Sequence, residues 1–350
     1  MIGAAQLLPP PPPPFDDLIR FLASEAFVKA SVFPGAAFVT LFGLLTVWYE
    51  RKLVARIALR IGPLHVGKYA GILQLIADAI KFLSKEPIVP KNARKPLFVT
   101  MPMLAVVLAV LLFAFLPFGP QWVIYQSDIS LLLFFLIVAV SPIPLLLAGW
   151  ASNSKYSFVG MVRFAFQVFA YEIPLFLALT GVIVMAKSFD LVKIVEAQAT
   201  VPFAIPQVIG FIAFLAVVIS EVERIPFDMP TAETELVQGW QVEFPASGFL
   251  MIQLALYTKL DALAVLTTLL YLGGWHGPPL PGVPDFIVAP FWVILKSLFV
   301  LTFFLILRGV YPRITIQKIL DLGWRVLIPM TLLNILVVSI IVSLPLLLSI

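Results

Sequence analysis

The sequence predicts an all-α polytopic membrane protein: about eight transmembrane helices, an interfacial amphipathic helix and a long acidic cytoplasmic loop. Three observations predict it. Of 350 residues, 61% are hydrophobic and only 12% charged, and the mean hydropathy is +1.05. Apolar runs of roughly 20 residues, each long enough to cross a bilayer, recur along the chain. Between two of these runs lies the stretch EVERIPFDMPTAETELVQGWQVEF at 221–244, with six acids (Glu221, Glu223, Asp228, Glu233, Glu235, Glu243) and one base, Arg224. The chain has 19 acids in all, so almost a third lie in this one connection. Ionisable groups at or near membrane depth are costly, and by default they mark an ion or proton path or a substrate pocket.

Composition also excludes several functions. Cysteine is absent, which rules out disulfides, cysteine-ligated iron–sulfur clusters and thiol catalysis within this chain. His65 and His276 lie far apart in sequence and make no metal motif, so no bound metal or cluster is expected. The pI near 9.2 does not indicate nucleic acid, because the bases sit in a few loops where the positive-inside rule accounts for them.

Residues 1–25 read as an arm outside the folded domain, with six consecutive prolines at 9–14. Such a run favours polyproline II and builds no core. The arm lacks the basic start of a signal peptide, so no cleavage is expected. Residues 26–350 read as one transmembrane domain without internal repeats. The expected spans are 27–48, 97–118, 129–150, 158–186, 206–220, 248–272, 287–307 and 326–348.

The first span stops at Glu50-Arg51-Lys52, and the connection to Pro96 carries ten bases: Arg51, Lys52, Arg56, Arg60, Lys68, Lys81, Lys85, Lys91, Arg94 and Lys95. Within it, Gln74, Asp78, Lys81 and Lys85 share one face of a helix predicted over 71–86, with Ile72, Leu75, Ile76, Ala79, Ile80 and Leu83 on the remainder. Such a helix lies in the membrane interface. Two roles stay open for it: simple anchoring, or docking a partner and roofing a lipid-facing opening.

The connections after spans 1, 3, 5 and 7 hold 10, 2, 1 and 4 bases. The N-terminal arm with Lys29 holds two, the connection after span 4 holds Lys187 and Lys193, and those after spans 2 and 6 hold none. The bias places the acidic stretch in the cytoplasm and both termini opposite. A prokaryotic cell membrane is the expected location.

Several charges fall inside spans. Arg163, Gln167 and Tyr171 share a face of the fourth, with Glu172 about 100° around, and Pro174 predicts a kink. An inter-helix ion pair and a protonatable relay through Glu172 both fit this pattern. Lys259 and Asp261 in the sixth span are two apart and do not face each other, so each requires a partner on another element. Lys296 in the seventh is either structural or part of a relay. In the acidic stretch, Pro226 and Pro230 prevent one continuous helix. Its bulky neighbours Ile225, Phe227, Met229, Leu236, Trp240 and Phe244 favour a loop folded back onto the spans over a solvated one.

Four blocks, in order, resemble the H subunit (mitochondrial subunit 1) of respiratory complex I, the proton-pumping NADH:quinone oxidoreductase. They are ERKLVARIALRIGPLHVGKYAGILQLIADAIKFLSKE at 50–86, AGWASNSKYSFVGMVRFAFQVFAYEIP at 148–174, ERIPFDMPTAETELVQGW in the acidic stretch, and LRGVYPRITIQKILDLGWRVLIP at 307–329. The resemblance runs from about residue 30 to the C-terminus.

It implies an eight-span subunit beside hydrophilic subunits that bear iron–sulfur clusters, with further membrane subunits alongside. Quinone would be the substrate, and electrons would arrive from partners. The chamber residues it implies are Arg51, Arg60, Arg224 and Asp228. Its proton relay corresponds to Glu172, Glu221, Glu233 and Glu235. There are departures from the family pattern. Leu64 and His65 replace a polar-basic pair, and Thr231, Leu256 and Gln317 stand where the family has acids, as Thr315 stands for an arginine. Lys259, about one turn beyond Leu256, is a candidate substitute in the relay. Related membrane-bound hydrogenases use a homologous subunit without reducing quinone, so an energy-converting hydrogenase anchor is the alternative. A stand-alone secondary transporter is a distant third; such folds often carry internal repeats.

Overall fold

The computed structural model describes residues 24–67 and 70–347. Most of the proline arm and Lys68 lie outside the described residues. In chain order the helices are α1 Glu25–Ser31, α2 Ala36–Ile57, α3 Gln74–Ser84, α4 Lys95–Leu112, α5 Ser130–Val140, α6 Pro142–Ala151, α7 Lys155–Ala186, α8 Leu191–Glu196, α9 Val208–Glu221, α10 Glu233–Leu236, α11 Ala246–Tyr271, α12 Asp285–Val310, α13 Ile316–Asp321 and α14 Ile328–Leu347. No strand occurs among the described residues.

Seven helical segments are long and apolar enough to cross a membrane: Glu25–Ile57, Lys95–Phe115, Ser130–Ala151, Lys155–Ala186, Ala246–Tyr271, Asp285–Val310 and Ile316–Leu344. The chain is an all-α polytopic membrane protein. The span expected at 206–220 forms α9, with only 14 residues. At about 1.5 Å per residue this is roughly 21 Å, short of a hydrocarbon core of roughly 30 Å. α9 packs against α7, α14 and α11, so its polar end at Glu221 is met by protein. The last span starts at Ile316, earlier than expected, and a π-helical turn over Leu322–Leu327 joins α13 to α14. Asp321 and Arg325 pair across one turn at 3.2 Å, which removes the charge penalty that would otherwise have delayed the helix. α7 continues through Pro174.

α11 is the central helix. Every residue from Thr258 to Tyr271 is buried, against α4, α12, α2, α3 and α8. A helix enclosed on all sides has no solvent face, so Lys259 and Asp261 must be met from within. Lys296 turns out to be structural: its Nζ donates to the carbonyls of Leu272, Gly274 and His276 at 2.7, 2.9 and 2.7 Å. It thereby satisfies free carbonyls beyond the C-terminus of α11.

The connections richest in bases gather at one end. The Arg94 amide donates to the Ala151 carbonyl at 2.9 Å, and Arg313 pairs with Asp228 at 2.9 Å. The acidic stretch does not hang free there. It folds back as a series of short turns with Phe227, Met229, Leu236, Trp240 and Phe244 buried. Its seat on α7 is a backbone-to-backbone contact at Gly160, where a Cβ would stand 2.5 Å from the Trp240 nitrogen and 2.8 Å from the Pro230 oxygen. Ser157 Oγ donates to the Trp240 carbonyl at 3.0 Å, and Gln167 Nε2 to the Ser220 carbonyl at 2.8 Å.

Gly160→Ala is therefore expected to unseat this loop at a cost of roughly 1–3 kcal/mol, as for other overpacked sites. Limited proteolysis at Arg224 in the purified protein should accelerate; unchanged resistance would contradict the docked seat.

Candidate functional site

Three elements that the sequence set apart meet at one cavity of about 450 Å³. α2 contributes Gly43, Leu44, Val47 and Arg51, and α3 contributes Leu75, Asp78, Ala79 and Phe82. The loop adds Glu223, Arg224, Asp228 and Glu233 among others, and α11 adds Phe249, Leu254, Leu256 and Tyr257. Arg308 and Arg313 close the wall. The volume suits a small-molecule pocket, and so does the mixture of apolar walls with a few convergent polar groups.

The orientation of α3 follows from this. Asp78 faces inward and accepts from Arg51 at 2.5 Å and from Gln74 at 2.8 Å. Burial pushes the Asp78 carboxyl up, but these hydrogen bonds and the fields of Arg51 and Lys81 hold it below its ordinary value. Ile76, Ile80 and Leu83 are exposed, as an interfacial helix requires.

The cavity floor is charged. Glu50, buried at the end of α2, accepts from Arg224 at 3.0 Å and also pairs with Arg308 of α12. The Arg224 guanidinium lies over the Tyr257 ring, 4.2 Å from its centre, a cation–π contact. Arg313 Nη2 holds Asp228 Oδ2 at 2.9 Å. Burial raises the Asp228 carboxyl above its usual range, and Arg313 only partly offsets it. Glu223 is buried and accepts from Trp240 Nε1 at 3.1 Å. Burial lifts it to about 7, against that hydrogen bond and the fields of Lys259 and Arg224. Glu50 Oε2, Arg224 Nη2, Glu223 Oε1 and Asp228 Oδ1 are buried with no hydrogen-bond partner among the described residues.

Residues 30–339 match the sequence profile of the NADH dehydrogenase family. The chain belongs to this family. It is 40% identical over 300 residues to a Syntrophobacter fumaroxidans relative, the second of two numbered H subunits of NADH-quinone oxidoreductase, covering 83% of this chain and 88% of that one. It is 40% identical over 312 residues to the corresponding H subunit of Geobacillus sp. (strain WCH70), covering 89% and 92%. With the H subunit of Bacillus cytotoxicus it shares 38% identity over 328 residues, covering 92% and 98%.

The geometry sorts the residues singled out from the sequence. Arg51, Arg224 and Asp228 line the cavity. Arg60 does not: it lies beyond the end of α2, exposed and outside the lining. Lys259 Nζ donates to Glu221 Oε1 at 2.7 Å, with both side chains buried. This supplies the partner on another element that its position demanded. Glu172, half-buried on α7, lies within the fields of Glu221 and Lys259. Glu233 is exposed at the cavity wall, and Glu235 is half-exposed and held by Arg163 at 2.5 Å.

Sequence reasoning named Glu223 only as one acid among six and passed over Glu50, Arg308 and Arg313. Glu50 opens the first of the four blocks and both arginines lie in the last, so membership of those blocks was the available signal.

The buried charges lead to two expected outcomes. Lys259→Met leaves Glu221 ionised and uncompensated, which costs roughly 3–5 kcal/mol for a buried pair. The Lys259→Met/Glu221→Leu double variant removes both charges and should recover most of that loss in thermal unfolding. For Glu223, the folded carboxyl is raised from 4.5 to about 7. Its stabilising protonation is complete below its unfolded value and is lost as pH rises through about 7, a change on the order of 3 kcal/mol. Glu223→Gln should flatten the fall in Tm between pH 5 and 7.5, roughly the titration window set by this shift; an unchanged slope would contradict the assignment.

Proposed function

We propose that this chain is the membrane subunit of a complex I-like oxidoreductase, and that the cavity is its quinone chamber. The observation that carries the reading is the convergence of aromatic and aliphatic walls with Arg51, Arg224, Asp228 and Arg313 in one cavity. A quinone ring suits walls such as Phe82, Phe249 and Tyr257, and its carbonyl oxygens suit arginine donors. The relatives' name, which describes them as H subunits of NADH-quinone oxidoreductase, supports the same reading.

Electrons would enter from a hydrophilic partner subunit bearing an iron–sulfur cluster, because this chain has no cysteine. The donor feeding that partner is not fixed by any residue here. Reducing quinone places negative charge in a largely apolar chamber, and neighbouring carboxylates respond by taking or giving protons. Glu223 stands at the wall and Glu221–Lys259 behind it. Glu172 lies next, while Glu233 and Glu235 hold the loop's outer edge. This series would carry the response toward neighbouring membrane subunits, with protons as the coupled ion. The basic end that gathers the loop would be cytoplasmic in a bacterial plasma membrane.

One observation favours a second reading. Leu256 is an apolar residue at the cavity wall where the resemblance implies a glutamate. An energy-converting hydrogenase anchor would keep the fold and release hydrogen in place of quinol.

The complex purified through a tag on this chain separates the two. With a reduced low-potential donor, quinone reduction sensitive to a quinone-site inhibitor is expected. Asp228→Asn should slow it about tenfold, the scale of one charge-assisted hydrogen bond. Hydrogen release without quinone reduction would assign the hydrogenase branch.

A further inference from the structure

Asp261 has no part in the reading above. It is fully buried in the middle of α11. Its Oδ1 accepts from Thr46 Oγ1 of α2 at 2.8 Å. Its Oδ2 has no hydrogen-bond partner among the described residues, and neither does Thr258 Oγ1, one turn earlier on the same face. Both orphan oxygens converge on Gly43 of α2, where a Cβ would stand 3.6 Å from each. Gly43 also lines the cavity. The wall between the cavity and a buried carboxylate is therefore missing a side chain at this point.

The charged groups on the elements around Asp261 are committed elsewhere. Lys259 turns to Glu221 of α9, and Arg308 of α12 pairs with Glu50 of α2. Arg224 exerts a field on Asp261, but its hydrogen bond goes to Glu50. Asp78 of α3 binds Arg51, Lys296 of α12 caps α11, and Lys193 of α8 pairs with Asp128. Glu196 of α8, Lys81 of α3, and Lys95 at the start of α4 make no ion pair with Asp261. An ionised carboxylate without a bonded cation is costly in such a place. A neutral acid instead carries an O–H donor suited to Thr258 Oγ1 or to a water seated at Gly43.

We propose that Asp261 is a proton store that opens onto the cavity across Gly43. It is neutral at rest. When a quinone in the chamber accepts electrons from the iron–sulfur donor of the hydrophilic partner, Asp261 releases its proton. That proton bonds to a reduced quinone oxygen, leaving Asp261 as a carboxylate. A proton from water then reloads it. The inference rests on the quinone reading.

The test is infrared difference spectroscopy of the whole complex with a reduced low-potential dye and a short-chain benzoquinone. The expected signal is a carboxylic-acid carbonyl band that shifts in heavy water and bleaches on quinone reduction. Asp261→Asn, similar in size and able to keep the Thr46 contact, should abolish the band. Gly43→Ala, whose added methyl makes only ordinary contacts at 3.6 Å, should retain the band but slow its hydrogen–deuterium exchange about tenfold by closing the opening. The same band in Asp261→Asn, unchanged exchange in Gly43→Ala, or a sodium requirement with no acid band would each overturn the proposal. Quinone reduction without an Asp261 band overturns this inference alone, whereas a wild-type complex that reduces no quinone overturns the chamber as well.

Discussion

A charge taken out of water into this bundle must be met by protein, and the fold is arranged around those meetings. Lys259 is fixed in the most enclosed helix of the molecule, and only Glu221 compensates it directly. Glu221 in turn is the last residue of the short helix α9. The pair thus sets where α9 stops and where the acidic loop begins. Glu50 does the same at another junction, joining the end of α2 to the loop through Arg224 and to α12 through Arg308. Removing either side of such a contact would leave a buried ion, which is far worse than never having had one.

These pairings turn the loop into part of the interior. Trp240 has no exposed surface, and Gly160 lets loop backbone approach α7 directly. The loop therefore lies between the cavity on one side and the carboxylates of α9 and α7 on the other. Glu223 faces both: it lines the cavity and lies within the fields of Glu221 and Lys259. Charge arriving in the cavity would be felt first by groups whose ionisation is already finely poised. This is the physical basis for coupling a redox event to proton movement, with no requirement for a large motion.

Much of this was legible in the sequence, for reasons that particular residues make clear. Long apolar runs fixed the spans, because lipid admits little else. The bulky apolar residues among the loop's acids foretold its folding back, since Phe227, Trp240 and Phe244 needed burial. The i, i+4 spacing of Gln74 and Asp78 gave the inward face of α3. Other features were illegible because they depend on tertiary contacts. The 14-residue length of α9 is tolerable only because neighbours enclose it. The early start of the last span depends on a local Asp321–Arg325 pair. Arg60 could not be separated from Arg51 by sequence, since only the end of α2 decides which one reaches the cavity. The role of Glu50 was hidden because both of its partners come from distant segments.

The central claim is that quinone occupies the cavity between α2, α3, the loop and α11. The most direct test is photolabelling of the purified complex with a photoreactive quinone analogue, followed by peptide mapping of this chain. The account predicts label on the segments carrying Phe82, Phe249 and Tyr257, competed away by unlabelled quinone. Competable label confined to other segments, or none on this chain in a complex that still reduces quinone, would contradict it.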